Sequence, residues 1–256
     1  MIPIKTQDEI SIMRKVCSMA ATALARMAQD VAVGVTTYDL DQAGRKYMKE
    51  LGCKSACFNY KVGSNIYPAH TCLSVNEEIV HGIGSLKRRL QEGDVITLDV
   101  CAQYKGYVGD NAKTVIVGKP RNERDAFLVE HTQKALHEGI QAAVPGGRVG
   151  DISNTIQRYL DRQELGIIRD FVGHGVGASM HEPPQIPNFG RRKTGPKLRA
   201  GMTLAIEPMV SLGSPQTKML DDGWTAVTRD GSTAAHFEHT VLITDSGPEI
   251  LTVPNL

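Results

Sequence analysis

Apolar residues near the start of the chain recur every three or four positions, placing Met13, Val16, Ala20, Ala23 and Met27 on one side. That is the spacing of a helix burying one face. Thr6-x-x-Glu9 supplies a capping box, and the helix is expected to run to about Met27. Gly34 breaks the chain. Thr36-x-x-Asp39 opens a second helix, with Leu40, Ala43, Tyr47 and Leu51 inward and Gly52 at its end. A loop carrying Tyr60, Gly63, Asn65 and Pro68 leads to a strand over Cys72–Val75, then Asn76 and a turn at His81-Gly82. The pattern changes at Val95–Val100, which is β-branched and aliphatic apart from Thr97 and Asp99, the composition of a buried strand. Tyr104-Lys105-Gly106-Tyr107 reads as a turn, and Asn111 to Val117 as the returning strand.

The second half repeats the plan. Asp125 to Val144 is helical, Pro145-Gly146-Gly147 breaks it, and Asp151 to Gln163 forms the next helix with Ile152, Ile156 and Leu160 inward. Gly34 precedes Asp39 by the same interval as Gly146 precedes Asp151, and Tyr47…Leu51-Gly52 mirrors Tyr159…Leu165-Gly166. Gly93-Asp-Val-Ile-Thr-Leu-Asp99 aligns with Gly201-Met-Thr-Leu-Ala-Ile-Glu207, a carboxylate six after glycine in each. Coincidence between two ordinary helix–strand units is the plain alternative, but agreement in order favours duplication. The expectation is an α+β fold in one catalytic domain, with halves of about 1–120 and 121–256 and helices covering one face of a curved antiparallel sheet.

Bulk properties narrow the function. The 256 residues can bury a full core, and a net charge of +1 gives no global reason for a nucleic-acid or membrane partner. No apolar stretch reaches membrane-spanning length, and Met1-Ile2-Pro3-Ile4-Lys5 runs straight into a charged helix rather than a signal segment. Five cysteines without CxxC spacing suit a reducing cytoplasm.

The chemistry starts at Asp99, because a carboxylate in a buried strand is costly without a cationic partner. With the turn on Lys105-Gly106, residue 101 faces residue 110. Asp99 and Asp110 then become diagonal neighbours, roughly 7–8 Å apart at the backbone. Either one holds a proton or a multivalent cation lies between them. His174 between two glycines, Glu207 before Pro208, and Glu238 at the opening of what reads as the last strand, Thr240–Thr244, are further candidates. Each alone is more often hydrogen-bonded structure. Together, four carboxylates and an imidazole suit divalent ions such as Mn, Fe, Co or Zn, and five donors exceed the needs of one catalytic ion. His81 and His181, in loops, are surface histidines or donors to a developing charge.

These residues carry a resemblance. Asp99, Asp110, His174, Glu207 and Glu238 resemble the ligand set of the methionine aminopeptidases of the pita-bread fold. So do Ser74-x-Asn76-Glu77 with His81-Gly82, Gly173-His174-Gly175-x-Gly177, His181-Glu182-x-Pro184, Ile206-Glu207-Pro208-Met209 and Glu238-His239-Thr240. The short interval from His181 to Glu207 is similar to the type I form. The resemblance implies a cytoplasmic, monomeric enzyme that removes the initiator methionine from nascent polypeptide N-termini. Its five ligands would hold two divalent ions (Co, Mn, Fe, Zn or Ni). Glu207 would act as general base, His181 would stabilise the oxyanion, and His81 would touch substrate beyond the scissile bond. Cys57, Tyr60, Tyr67, Cys72 and Trp224 match the methionine pocket by position.

The chain departs from the family pattern in a longer Tyr60–Tyr67 loop and in Met180, Cys101, Asn111 and His236. Arg191-Arg192-Lys193 is a solvated loop or a ribosome contact. The rival readings are an Xaa-Pro peptidase of the same fold and a binding module that lost turnover.

Overall fold

In the computed structural model, which describes residues 1–255, the Thr6 hydroxyl accepts from Glu9 N and the Glu9 carboxylate from Thr6 N. This closes the capping box of helix α1 (Gln7–Asp30). Met13, Val16, Ala20, Ala23 and Met27 are all fully buried. Helix α2 (Thr37–Glu50) starts on the Thr36 box, but its inner face is rotated from the expected one. Leu40, Asp41, Gly44 and Met48 are buried, while Ala43, Tyr47 and Leu51 are only partly so. Two long-range contacts explain the rotation. A Cβ on Gly44 would stand 2.7 Å from Met27 Sδ, so α1 and α2 meet at glycine distance. Asp41 Oδ1 accepts from the amides of His70 and Thr71 and from the Thr71 hydroxyl, at 2.8, 2.9 and 3.0 Å.

Helix α3 (Glu123–Gln141) begins where the Asn122 side chain accepts from Asp125 N, and α4 (Val149–Asp161) where Arg148 N donates to Asp151. Both helices start two residues before the expected Asp125 and Asp151. The two helices and the second-half strands enclose one apolar cluster. A second cluster lies chiefly between α1, α2 and the long first-half hairpin. Gly34 and Gly146 share positive φ (89° and 83°), as do Gly93 and Gly201 (83° and 87°). The expected equivalence of Gly52 and Gly166 does not extend to backbone conformation: after α4 the left-handed residue is Glu164.

Among the described residues, the strands form five antiparallel sheets. The long hairpin pairs Val95–Tyr104 with Tyr107–Ile116, Cys101 opposite Asp110 and Tyr104 opposite Tyr107, the register expected for a turn on Lys105-Gly106. Both turn residues have positive φ, as a two-residue hairpin turn of the right twist requires. Cys72–Val75 flanks the hairpin, with Cys72 opposite Asp99. A Cβ on Gly109 would lie 2.7 Å from Cys17 N, so the backbone of α1 rests directly on the hairpin beside Asp110. The Tyr60–Tyr67 segment, expected as a loop, is a small hairpin of Lys61–Val62 and Asn65–Ile66.

In the second half, Thr203–Ile206 runs between Gly173–Gly175 and His239–Thr244. The final strand is Gly247–Ile250, beyond the expected last one, and it completes the sheet edge. The two halves are joined at the carboxylates themselves. Glu238 N donates to Ala112 O at 3.0 Å. The Thr240 hydroxyl donates to Asp110 O at 2.7 Å and accepts from Asp110 N at 3.2 Å. Among the described residues no helix is long and apolar enough to cross a membrane.

Candidate active site

Strand geometry delivers the donors. Asp99 and Cys101 are two apart on one strand and so share a face, and Asp110 stands opposite Cys101 on the neighbouring strand. One ligand atom from each of these three lies within 4.8 Å of the others, as do one from each of Asp110, His174 and Glu238. Asp110 therefore belongs to two adjoining clusters. Glu207 follows the Thr203–Ile206 strand, and its Oε1 lies 3.3 Å from His174 Nε2. All five expected ligands line one cavity.

The cavity's charges are not satisfied from within. His174 Nδ1 is 2.9 Å from Gly175 O, and a carbonyl only accepts, so Nδ1 carries the proton. Burial, with His181 adding to it, lowers the His174 pKa to about 4, so the ring is neutral and Nε2 presents a lone pair to Glu207 Oε1. Two lone pairs at 3.3 Å need a proton or a cation between them. Glu207 Oε1 and Glu238 Oε1 are buried without a hydrogen-bond partner, an arrangement that costs several kcal/mol per ion unless something binds there. Burial raises the pKa of all four carboxyls: Asp99 further through Asp110, and Glu238 further through Asp110, Glu207 and Asp99. Oxygen and imidazole donors, clustered, unsatisfied and jointly anionic once deprotonated, fit divalent metal.

The other expected residues line the same cavity. The His181 ring packs edge-on to His174 with centroids 4.4 Å apart, and His181 Nδ1 is 2.7 Å from the Tyr60 hydroxyl. His81 has a left-handed backbone (φ 60°) and sits edge-on to Phe171. Such strain recurs at functional sites. Gly82 after it is obligatory, because a Cβ there would be 2.2 Å from Leu73 O. Cys57, Tyr60, Tyr67, Cys72 and Trp224 all line the cavity, with Tyr67 meeting Trp224 edge-on at 5.2 Å. Tyr67 is held by its hydroxyl donating to Gly82 O and Thr71 O. The cavity encloses about 160 Å³, the scale of an engineered apolar cavity that admits benzene (about 150 Å³).

Sequence reasoning missed Phe171, Val172, Val80, Val62 and Met209, which complete the apolar walls. Phe171 lay within reach, three residues before His174. His236, a departure from the family pattern, is buried with both ring nitrogens unpartnered and Nε2 3.6 Å from Glu207 Oε2.

The model of metallopeptidase family M24 matches residues 11–245. A methionine aminopeptidase of Clostridium acetobutylicum is 45% identical, over 99% of each chain. The chain belongs to the methionine aminopeptidases of family M24. The crystal structure of a methionine aminopeptidase from Thermotoga maritima superposes with a TM-score of 0.94 at 47% identity, over 98% of this chain and 99% of that one. A prolidase from Pyrococcus furiosus shares the fold less closely, with a TM-score of 0.77 at 25% identity. This chain spans only 66% of it. The pita-bread architecture expected from the sequence is thus the fold of the family. Membership makes the chain a metallopeptidase, and the donors around Asp110 fit the divalent metal that the family implies.

Proposed function

We propose that the protein removes N-terminal methionine from nascent polypeptides, acting as a monomer in the cytoplasm. The observation that carries this reading is a small apolar pocket opening directly onto unsatisfied carboxylate and imidazole donors. Asp99, Asp110, His174, Glu207 and Glu238 would hold two divalent ions, of Co, Mn, Fe, Zn or Ni. When bound, such ions supply Lewis acidity and a water acidic enough to react near neutral pH.

The protein's own groups do the rest. The pocket of Cys57, Tyr67, Cys72 and Trp224 takes the flexible, polarisable methionine side chain. Asp99 receives the free α-amine, which confines cleavage to the first peptide bond. The Glu207 carboxylate takes the proton of the attacking water and returns it to the leaving amine. With the Tyr60 hydroxyl donating to His181 Nδ1, the proton of His181 sits on Nε2, free to donate to the developing oxyanion. His81 contacts the substrate past the scissile bond.

The halves of about 1–120 and 121–256 act as one catalytic domain, each contributing carboxylates to the shared centre. Met-Ala and Met-Gly peptides should be cleaved once metal is restored. Hydrolysis of Ala-Pro alone would assign the chain to the Xaa-Pro peptidases. Absence of any metal-dependent methionine release would make it a binding module. Arg191, Arg192 and Lys193 are exposed, and Lys193 N donates to Asp151 Oδ1 at 3.0 Å. If they touch ribosomal RNA, reversing their charges will weaken co-sedimentation with ribosomes in a salt-dependent way. Unchanged sedimentation leaves them as a solvated loop.

A further inference from the structure

Cys101 stands inside the donor cluster with no part in the reaction just described. Its place is fixed by the hairpin register: opposite Asp110, and on the same strand face as Asp99. Its Sγ lies 2.8 Å from Asp110 Oδ1 and 3.7 Å from Asp99 Oδ1. The residue is 5% exposed, and its thiol is free. Cys57 and Cys72 line the same cavity but fall outside both groups of clustered ligand atoms. A second observation, independent of the cysteine, points to ligand binding in the same cavity: the buried, unpartnered oxygens of Glu207 and Glu238.

The geometry points to Cys101 as a sixth, sulfur donor of the metal centre, ligating as thiolate the ion shared by Asp99 and Asp110. This rests on the metallopeptidase reading above and goes beyond its five-ligand set. On ligation the Sγ–H proton passes to solvent and the freed sulfur lone pair forms the metal–sulfur bond, with no change of oxidation state. A thiolate among carboxylates tilts the site toward the softer divalent ions, Zn, Fe and Co, and away from Mn and Mg. The metal preference of this chain would then be set by a residue at a departure from the family pattern.

The test uses the full-length protein, stripped by chelator and reloaded with Co(II) under reducing conditions. The wild type should show visible d–d bands together with an intense near-ultraviolet sulfur-to-cobalt charge-transfer band. Cys101→Ser should keep the visible bands and lose the charge-transfer band, while Cys57→Ser and Cys72→Ser keep both. Competition binding should show the preference for Zn(II) over Mn(II) falling by about tenfold or more in Cys101→Ser, within the usual range for a change beside a metal.

Visible bands without charge transfer in the wild type overturn the inference and leave Cys101 as a hydrogen-bond donor to Asp110. Loss of the band in Cys57→Ser or Cys72→Ser, with retention in Cys101→Ser, also overturns it. Absence of all cobalt bands removes the metal centre itself, which is a different failure. Should Cys101→Ser not fold, X-ray absorption of the zinc-loaded wild type decides: a sulfur scatterer at about 2.3 Å supports ligation, and a shell of only nitrogen and oxygen refutes it.

Discussion

At the scale of single residues, the centre is a set of groups that repel or starve one another without a ligand. Glu207 is the clearest case. Burial holds its pKa up, Oε1 faces the His174 lone pair, and Oε2 is 3.6 Å from the His236 ring. In the proposed reaction Glu207→Gln would remove both a ligand and a proton acceptor, so kcat should drop about 10²–10⁴-fold, the usual worth of general acid–base catalysis. The same change should leave the melting temperature of the metal-free protein equal or higher, because a neutral amide avoids the cost of burying charge. Activity within a few-fold of wild type would remove Glu207 from the reaction. Lys5 makes the opposite point. Its ammonium meets Glu182 Oε2 at 2.5 Å with both side chains largely buried, tying the N-terminal arm to the residue after His181. Lys5→Met strands Glu182, and urea denaturation should show a loss of about 3 kcal/mol. A second substitution, Glu182→Leu, should restore much of it.

At the scale of elements, what was legible in the chain is what is written locally. The capping boxes at Thr6 and Thr36, the Lys105-Gly106 turn and hence the facing of Cys101 and Asp110 all follow from neighbours in sequence. The rotation of α2 was not legible, because Asp41 owes its burial to amides about thirty positions away and Gly44 to a methionine on another helix. A buried aspartate with three donors looks, in sequence, like any polar helix position. The hairpin over Lys61–Ile66 was hidden for a related reason, since two-residue strands carry no period to detect. That hairpin has a task. Tyr60 precedes it, and its hydroxyl reaches His181 Nδ1 at 2.7 Å. Tyr60→Phe should lower kcat roughly tenfold, about one hydrogen bond's net worth, with KM little changed. If KM rises while kcat holds, Tyr60 is only a wall of the pocket.

At the scale of the whole molecule, the strands of both halves meet where their carboxylates do, and this makes stability depend on metal and pH together. In the metal-free protein, burial raises the carboxyl pKa values of Asp99, Asp110, Glu207 and Glu238 above the ordinary 3.8 and 4.5. The folded state then holds protons that the unfolded chain gives up. Stability from these groups is full below the ordinary carboxylate range and is lost as pH rises through the raised values. The buried histidines His81, His174 and His236, held at about 4 against an ordinary 6.5, act with the opposite sign. Their contribution is present above about pH 6.5 and is lost as pH falls toward 4. Above about pH 6.5 the histidines no longer contribute a change, so the melting temperature of the metal-free protein should fall as pH rises through the raised carboxyl values. Metal binding takes deprotonated ligands and offsets that loss, so the gap between metal-loaded and metal-free melting temperatures should widen with pH. Calorimetric titration with metal at pH 7, in buffers of different ionisation heat, should show protons released as the site fills. A metal-free melting temperature that stays level over this range, with no proton release, would mean that these carboxyls are already ionised in the empty fold. The pairing of unsatisfied acceptors at Glu207 and Glu238 would then need another explanation.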